Sequence, residues 1–464
     1  MKKSRKEYTK NRKLSNHPPA FLQVEKMALP PFSGVWLILL CAFFLHACNG
    51  FRVDKVLKKR TPYESYLDAL EDSPLQNSSM VRAWREAGEI NGDSLQVDLP
   101  HSEHFYFDPQ RPSAVFVHFF AREGEEILVS GEALPPNLPY FMDVFAWEGD
   151  SYKRLVSTDS TQRVSYAVKQ PGKQVLRIQP ELLVGGVVQI KVETRGLLAF
   201  PIPDKTSANI GSFWGDPRDG GGRRHEGVDV FAPRGTPVLA ASDGRVRRVG
   251  TNRLGGKVVW LYDPDLNHSQ YYAHLDSQAV RLGQRIAQGD TLGFVGNTGN
   301  AITTPPHLHF GIYRSGRGAV DPLPFLSPFN PAPDRPVEDA ETLEAHALVS
   351  VDKANLRASP NLQGDRLASL ERHTPLKVLG KSGDWLRVVL PDRSEGFIFG
   401  GLLDMHPEPL DEVVLGAEDG IQLEWDWPYR VSGELVQGTA RVLGEYQGRV
   451  FISTYTGIQG WLVN

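Results

Sequence analysis

The sequence predicts a mainly β, multidomain protein: short N-terminal helices, an antiparallel β-sandwich, a further β-rich domain and one or two small barrels. Three observations predict it. At 464 residues the chain is longer than one hydrophobic core usually organises. From Phe105 onward, short alternating or apolar runs (AVFVHFF, EILVSGEAL, FMDVFAW, VSYAV, QVLRIQP, VVQIKVE) are punctuated by Gly and Pro. Near the carboxyl end, Val378-Leu379-Gly380 and Gly396-Phe397 recur as Val442-Leu443-Gly444 and Gly460-Trp461 at an offset of 64, which marks a duplicated small domain.

Taken in order, residues 1–47 read as a secretion signal. The first thirteen residues carry seven Lys or Arg against one Glu, and 35–47 (VWLILLCAFFLHA) is an apolar run too short to span a bilayer comfortably. It ends in Leu45-His46-Ala47-Cys48, which resembles a bacterial lipobox with an unusual His46. Cys48 is then expected to become an acylated terminus that anchors the chain to a membrane. That places the protein in the cell envelope, on the outer or cytoplasmic membrane facing the periplasm, or secreted if Cys48 stays unmodified. Cys41 would leave with the signal, so the mature chain has one thiol and no internal disulfide. Removing residues 1–47, with eight basic and two acidic side chains, takes the formal charge from −4 to −10, which excludes nucleic acid as a partner. The sequence fixes no oligomeric state.

Residues 48–100 form a tether and two short helices. Thr61-Pro62 is an N-cap followed by Pro at the first helical position, and a second helix is expected over 79–87. The sandwich occupies 101–200, with a spacer or packing role favoured over sugar binding. LLAFPIPDKTSANIG marks a boundary, and the second β-rich domain runs over 207–326. Residues 327–342 (beginning SPFNPAPDRPVEDAE) are too rich in proline for a helix and read as a semi-rigid spacer. The barrels follow at 343–406 and 412–464, the front of the second (IQLEWDWPYR) departing from the first.

The chemistry concentrates in 207–326. His225 and Asp229 stand in RRHEGVDV, and His307 and His309 in PPHLHF. In an extended strand side chains alternate faces, so positions i and i+4 of HEGVD share a face, as do both histidines of HLH. Two such strands side by side would aim imidazoles and a carboxylate at one point, while Glu226 and Leu308 point away. Three such ligands and a water describe a catalytic zinc site. The run is no H-E-x-x-H helix: Gly227 and Val228 disfavour one, and Asp229 replaces the second His. His118, His268, His346 and His373 read as core or surface histidines, and Gly211, Gly296 and Gly299 as turn residues around the cleft.

Order and surroundings add to this. GSFWGDPRDGGGRRHEGVDVFAPRGTPVLAASDGRV, then YYAHL, then GDTLGFVGNTGNAITTPPHLHFGI together resemble the lysostaphin-like family of zinc metallopeptidases. The resemblance implies one Zn²⁺ held by His225, Asp229 and His309, and two catalytic histidines, His274 and His307, one taking a proton and the other steadying an oxyanion. It implies peptidoglycan as substrate, with stem-peptide cross-links favoured over glycine bridges. Two positions depart from the pattern: Asp219 stands where the lysostaphin branch has a tyrosine, and Pro305 where a small residue is usual. ANLRASP, DWLRVVL and EGFIFGGLL resemble bacterial SH3-like modules, which implies wall binding. The rival readings are a non-catalytic regulator of wall amidases, disfavoured because every ligand position is filled, and a lipid-anchored wall tether.

Overall fold

The computed structural model describes residues 60–90, 95–159, 161–334, 343, 345–416, 420–423, 431–435, 438–455 and 459–463. The expected signal and Cys48 lie outside the described residues, as do 335–342 of the linker and 424–430 of the second barrel.

Thr61 caps helix Pro62–Glu71 reciprocally: its hydroxyl accepts from the Glu64 backbone N–H at 3.2 Å, and the Glu64 carboxylate accepts from the Thr61 N–H at 2.9 Å. Ser78 caps helix Ser79–Ala87. The buried sides of both helices, with Tyr63, Leu70, Val81 and Trp84, close on Phe141 of the sandwich. The sandwich has two sheets. One runs Gln96–Val97, Val115–Ala121, Gly172–Pro180, Tyr140–Trp147, Tyr152–Ser157, and its first strand is parallel to its neighbour, so the sandwich is not wholly antiparallel. The other contains His101–Phe107, Gly186–Gly196, Glu125–Leu134 and Arg163–Ala167. Inward residues such as Phe105, Phe119, Ile127, Met142 and Ile190 fill the space between them.

The second sheet continues beyond the sandwich. His104 pairs with Lys381 on strand Pro375–Ser382, which joins the sandwich and the first barrel in one 11-stranded sheet. At this seam the Arg387 guanidinium donates to both oxygens of Glu103, at 2.9 and 3.2 Å, and the two side chains are 3% and 0% exposed. Burial alone would raise the Glu103 carboxyl. The Arg387 charge and the hydrogen bond with His101 outweigh it and hold Glu103 below the usual carboxylate range.

Residues 327–334, read from the sequence as part of a semi-rigid spacer, are bonded to the sandwich. Ser327 accepts from the Gly196 N–H at 2.8 Å, Asn330 donates to the Thr194 carbonyl at 2.8 Å, and the Ala332 N–H reaches the Glu193 carboxylate at 2.9 Å. The segment lies along a sandwich strand, because proline bars a helix without preventing edge contacts. The repeat at offset 64 is visible in backbone detail. Strands Pro375–Ser382 and Gly438–Tyr446 slip register at Val378/Gly380 and Val442/Gly444, against Val388/Arg387 and Ile452/Phe451. A bulge falls at the same place in both copies.

The domain of interest is built on a sheet ordered Ile210–Ser212, Val228–Phe231, His307–Arg314, His268–Leu275, Gly256–Asp263, Gly244–Asn252, Arg285–Ile286. Val228, Val230, Leu308, Phe310, Ile312 and Tyr272 point to a common core, each large apolar side chain contributing about 1.5–3 kcal/mol on burial. The alternate residues of the same strands face the other way and line a cleft.

Two stability predictions follow from these contacts. Arg387→Met strands a buried carboxylate and is expected to cost about 3–5 kcal/mol, a loss that adding Glu103→Gln should reduce; urea midpoints at constant m-value measure both. Burial holds His268, despite the pull of Asp263, below its ordinary 6.5. The unfolded chain therefore binds a proton that the folded chain resists, and unfolding free energy should fall as pH drops below about 6.5. His268→Gln should flatten that slope, as read from midpoints between about pH 7.5 and 5.

Candidate metal centre

Strands Val228–Phe231 and His307–Arg314 are antiparallel with Asp229 opposite His309 and Phe231 opposite His307. Ser212 lies opposite Asp229 on one side and Ala273 opposite His309 on the other. One row across four strands is therefore Ser212, Asp229, His309, Ala273.

His225 reaches this row by another route than expected. The paired strand begins at Val228, so 225–227 lie outside the ladder with a bend at Gly227, and His225 follows the hairpin in which Pro217–Arg218 pairs with Arg223–Arg224. Its backbone N–H donates to the Asp216 carbonyl at 2.8 Å, and its ring Nδ1 pairs with the Phe213 carbonyl at 2.8 Å. Nε2 is thereby turned to Asp229 Oδ1 at 3.0 Å and His309 Nδ1 at 2.9 Å, and His309 Nδ1 lies 3.0 Å from the same oxygen. Three acceptor-capable atoms within this distance of one another, two nitrogens and one carboxylate oxygen, are the donor set of a zinc site with bonds of about 2.0–2.2 Å; His225, Asp229 and His309 could hold one ion. Burial would raise the Asp229 carboxyl, but the hydrogen bonds with His225 and His309 hold it far below the usual range. Burial lowers His309. Gly227 is required by close approach: a Cβ there would meet the His309 ring at 2.8 Å and the Phe310 carbonyl at 2.5 Å.

His274 comes to the same place through a bulge. Lys257 pairs with Leu275 and Val259 with Tyr272, so Ala273 and His274 together face one residue of the neighbouring strand. His274 takes a left-handed backbone, φ 62°, which lets it share the face of Ala273. His274 Nδ1 is held by the Thr298 carbonyl at 2.8 Å and His307 Nδ1 by the Pro305 carbonyl at 2.9 Å, so each ring spends Nδ1 on the backbone. Their rings meet edge to face at 4.9 Å. Burial, with the charge of His309 next, pushes His274 down to about 4, which keeps it neutral near pH 7.

These groups open into a cleft of about 640 Å³ whose lining includes the aromatic residues Trp260, Tyr271 and Tyr313. All five expected residues thus come together. Leu308 is in the core as expected, but Glu226, expected to point away, is exposed at the rim of the cleft, where its carboxylate accepts from the Tyr313 hydroxyl at 3.2 Å. Asp219 turns outward to Arg223 at 2.6 Å. Gly299 occupies a left-handed turn, φ 76°, whereas Gly211 and Gly296 serve close packing instead. Sequence reasoning missed Arg218, which donates to Asp229 Oδ2 at 3.0 Å and to Ser212 Oγ. The available signal was the glycine-rich stretch between Arg218 and Arg223, a hairpin turn.

Residues 223–322 match peptidase family M23, and residues 352–404 match the bacterial SH3 domain. An L-Ala--D-Glu endopeptidase of Bacillus subtilis is 41% identical over 139 residues, covering 28% of this chain and 42% of the relative. The glycyl-glycine endopeptidase ALE-1 of Staphylococcus capitis is 43% identical over 109 residues, covering 23% and 30%. The catalytic domain of lysostaphin from Staphylococcus simulans aligns at 37% identity over 26% of this chain and 93% of that structure, with a TM-score of 0.24. The matched stretch spans less than half the length of either curated relative.

The close fit at Gly227 generates a prediction. Gly227→Ala should displace the His309 ring and lower zinc affinity by about 10–100-fold, as measured by competition with a chromophoric chelator.

Proposed function

With residues 223–322 forming a peptidase family M23 domain and 352–404 a bacterial SH3 domain, we propose that this chain is a zinc-dependent endopeptidase that hydrolyses the peptide cross-links of bacterial peptidoglycan. The observation that carries the reading is the meeting of His225, Asp229 and His309 within 3.0 Å, beside two histidines whose Nδ1 atoms are already committed. Zinc, when bound there, supplies Lewis acidity to the scissile carbonyl and lowers the pKa of water.

The chain's own residues do the rest. His274 and His307 present their Nε2 sides to the cleft; one removes the proton of the attacking water and returns it to the leaving amine, while the other donates to the carbonyl oxygen. The aromatic lining residues Trp260, Tyr271 and Tyr313 orient a peptide along the cleft. The named relatives act on different bonds, an L-Ala–D-Glu link and a glycyl-glycine link. The absence of tyrosine at Asp219 favours the stem-peptide class. Envelope location, with Cys48 as lipid anchor and the SH3-like modules holding the wall, completes the proposal.

The test uses the mature full-length chain. It should bind about one zinc and release muropeptides from sacculi, identified by mass spectrometry; chelation should abolish release and zinc restore it. His309→Ala should reduce release by at least about a hundredfold. Equal release from the variant and the parent would end the peptidase reading.

A further inference from the structure

The cleft contains a cation that the proposed chemistry has not yet used. Arg218 extends from the hairpin Pro217–Arg218/Arg223–Arg224 over the edge of the ligand row. Its Nη2 donates to Asp229 Oδ2 at 3.0 Å and to Ser212 Oγ. These two contacts use both hydrogens of that nitrogen, whereas Nε–H and the two N–H groups of Nη1 have no hydrogen-bond partner among the described residues. A guanidinium carries five donors in a fixed plane, so three remain directed away from the carboxylate. The side chain is 29% exposed, anchored at one nitrogen and accessible from the cleft. Arg223, the other arginine of the lining, is committed to Asp219 and more exposed.

Position gives these donors a meaning. Ser212, Asp229, His309 and Ala273 follow one another across the sheet. Arg218 stands at the Ser212 end, and His274 follows Ala273 at the opposite end. Asp229 divides its oxygens accordingly: Oδ1 faces His225 and His309, and Oδ2 faces Arg218. A carbonyl lying over this row would have proton-accepting imidazoles at one end and a fixed positive charge at the other. When the water oxygen bonds to the carbonyl carbon, the π pair of C=O moves onto the carbonyl oxygen and the proton of the water passes to an imidazole. Charge therefore develops on the carbonyl oxygen, which a histidine donor approaches from one end of the row and the arginine from the other.

We propose that Arg218 is a catalytic residue, whose free Nε and Nη1 donors hydrogen-bond the carbonyl oxygen of the scissile bond and stabilise it as it becomes an oxyanion. The inference rests on the peptidase reading. Its anchor on Asp229 and Ser212 fixes the guanidinium before substrate arrives, which is what makes such a donor effective: removal of one preorganised oxyanion donor costs on the order of a hundredfold to a thousandfold in rate.

The experiment compares the full-length parent with His309→Ala, Arg218→Met and Arg218→Lys, using sacculi and a soluble cross-linked muropeptide. Zinc content is measured by atomic absorption, and affinity for a phosphinate peptide that copies the tetrahedral oxyanion is measured in parallel. Arg218→Met should lose about a hundredfold in kcat with KM little changed, keep its zinc, and lose phosphinate affinity in the same proportion while product affinity stays constant. Arg218→Lys should recover part of the loss. Near-parental kcat in Arg218→Met, or a loss matched by missing zinc in both Arg218 variants, overturns the role of Arg218 while leaving the peptidase reading intact. A parent no more active than His309→Ala overturns both.

Discussion

The site depends on one backbone register, Asp229 opposite His309. Residues directly opposite in an antiparallel pair lie about 4.5–5.5 Å apart, close enough for a carboxylate and an imidazole to face one ion. What holds that register is the other face of the same strands. Val228, Val230, Leu308 and Phe310 are fully buried in the core, and a slip by one residue would turn all four to solvent while driving Asp229 and His309 into the core. Apolar burial thus specifies the polar geometry.

A regular sheet sets the row but cannot by itself surround a reacting centre, because every strand delivers its side chains from below. The remaining groups enter from irregular backbone. His225 hangs from a loop pinned by the Phe213 and Asp216 carbonyls, and His274 turns into the cleft only through a left-handed residue in a bulge. A non-glycine residue in that conformation costs of order 1–3 kcal/mol. It persists because the neighbouring strand and the Thr298 carbonyl leave His274 no other place. Such a conformation persists only where the surrounding structure over-determines it.

These differences explain what could be read from the amino-acid order. Helix Pro62–Glu71 was legible because a threonine cap, a proline and Glu64 act locally. HLH was legible because period two holds through His307–Arg314. His225 was assigned to the site through an extended HEGVD, yet the paired strand covers only its last two residues; the histidine arrives by a hairpin whose closure depends on glycines and distant carbonyls. His274 could be placed only through resemblance, since a bulge breaks the period that would have predicted its face. Arg218 stands in a short hairpin that offers no period to give its direction. The repeat at offset 64 was legible to the level of one bulge, since Gly380 and Gly444 hold equivalent places. The fusion of sandwich and barrel was not, because no local pattern announces that His104 will meet Lys381.

That fusion bears on how the parts could cooperate. The pairing of the two sheets rests on one Cα register pair, too little backbone bonding to fix a unique docking. Glu103 and Arg387 supply what the ladder lacks. A guanidinium and a carboxylate matched at both oxygens accept one arrangement, and any shift leaves a charge buried without a partner. An apolar seam of equal area would hold as strongly but would tolerate sliding. Residues 327–334 secure the other border, tying the end of the cleft-bearing domain to strand Gly186–Gly196 through Gly196, Thr194 and Glu193. The sandwich is therefore the common body to which both the cleft and the first barrel are bonded. The cleft and the first barrel are thus each held to the sandwich by hydrogen bonds, and the barrel also by a buried ion pair, instead of by the length of a linker.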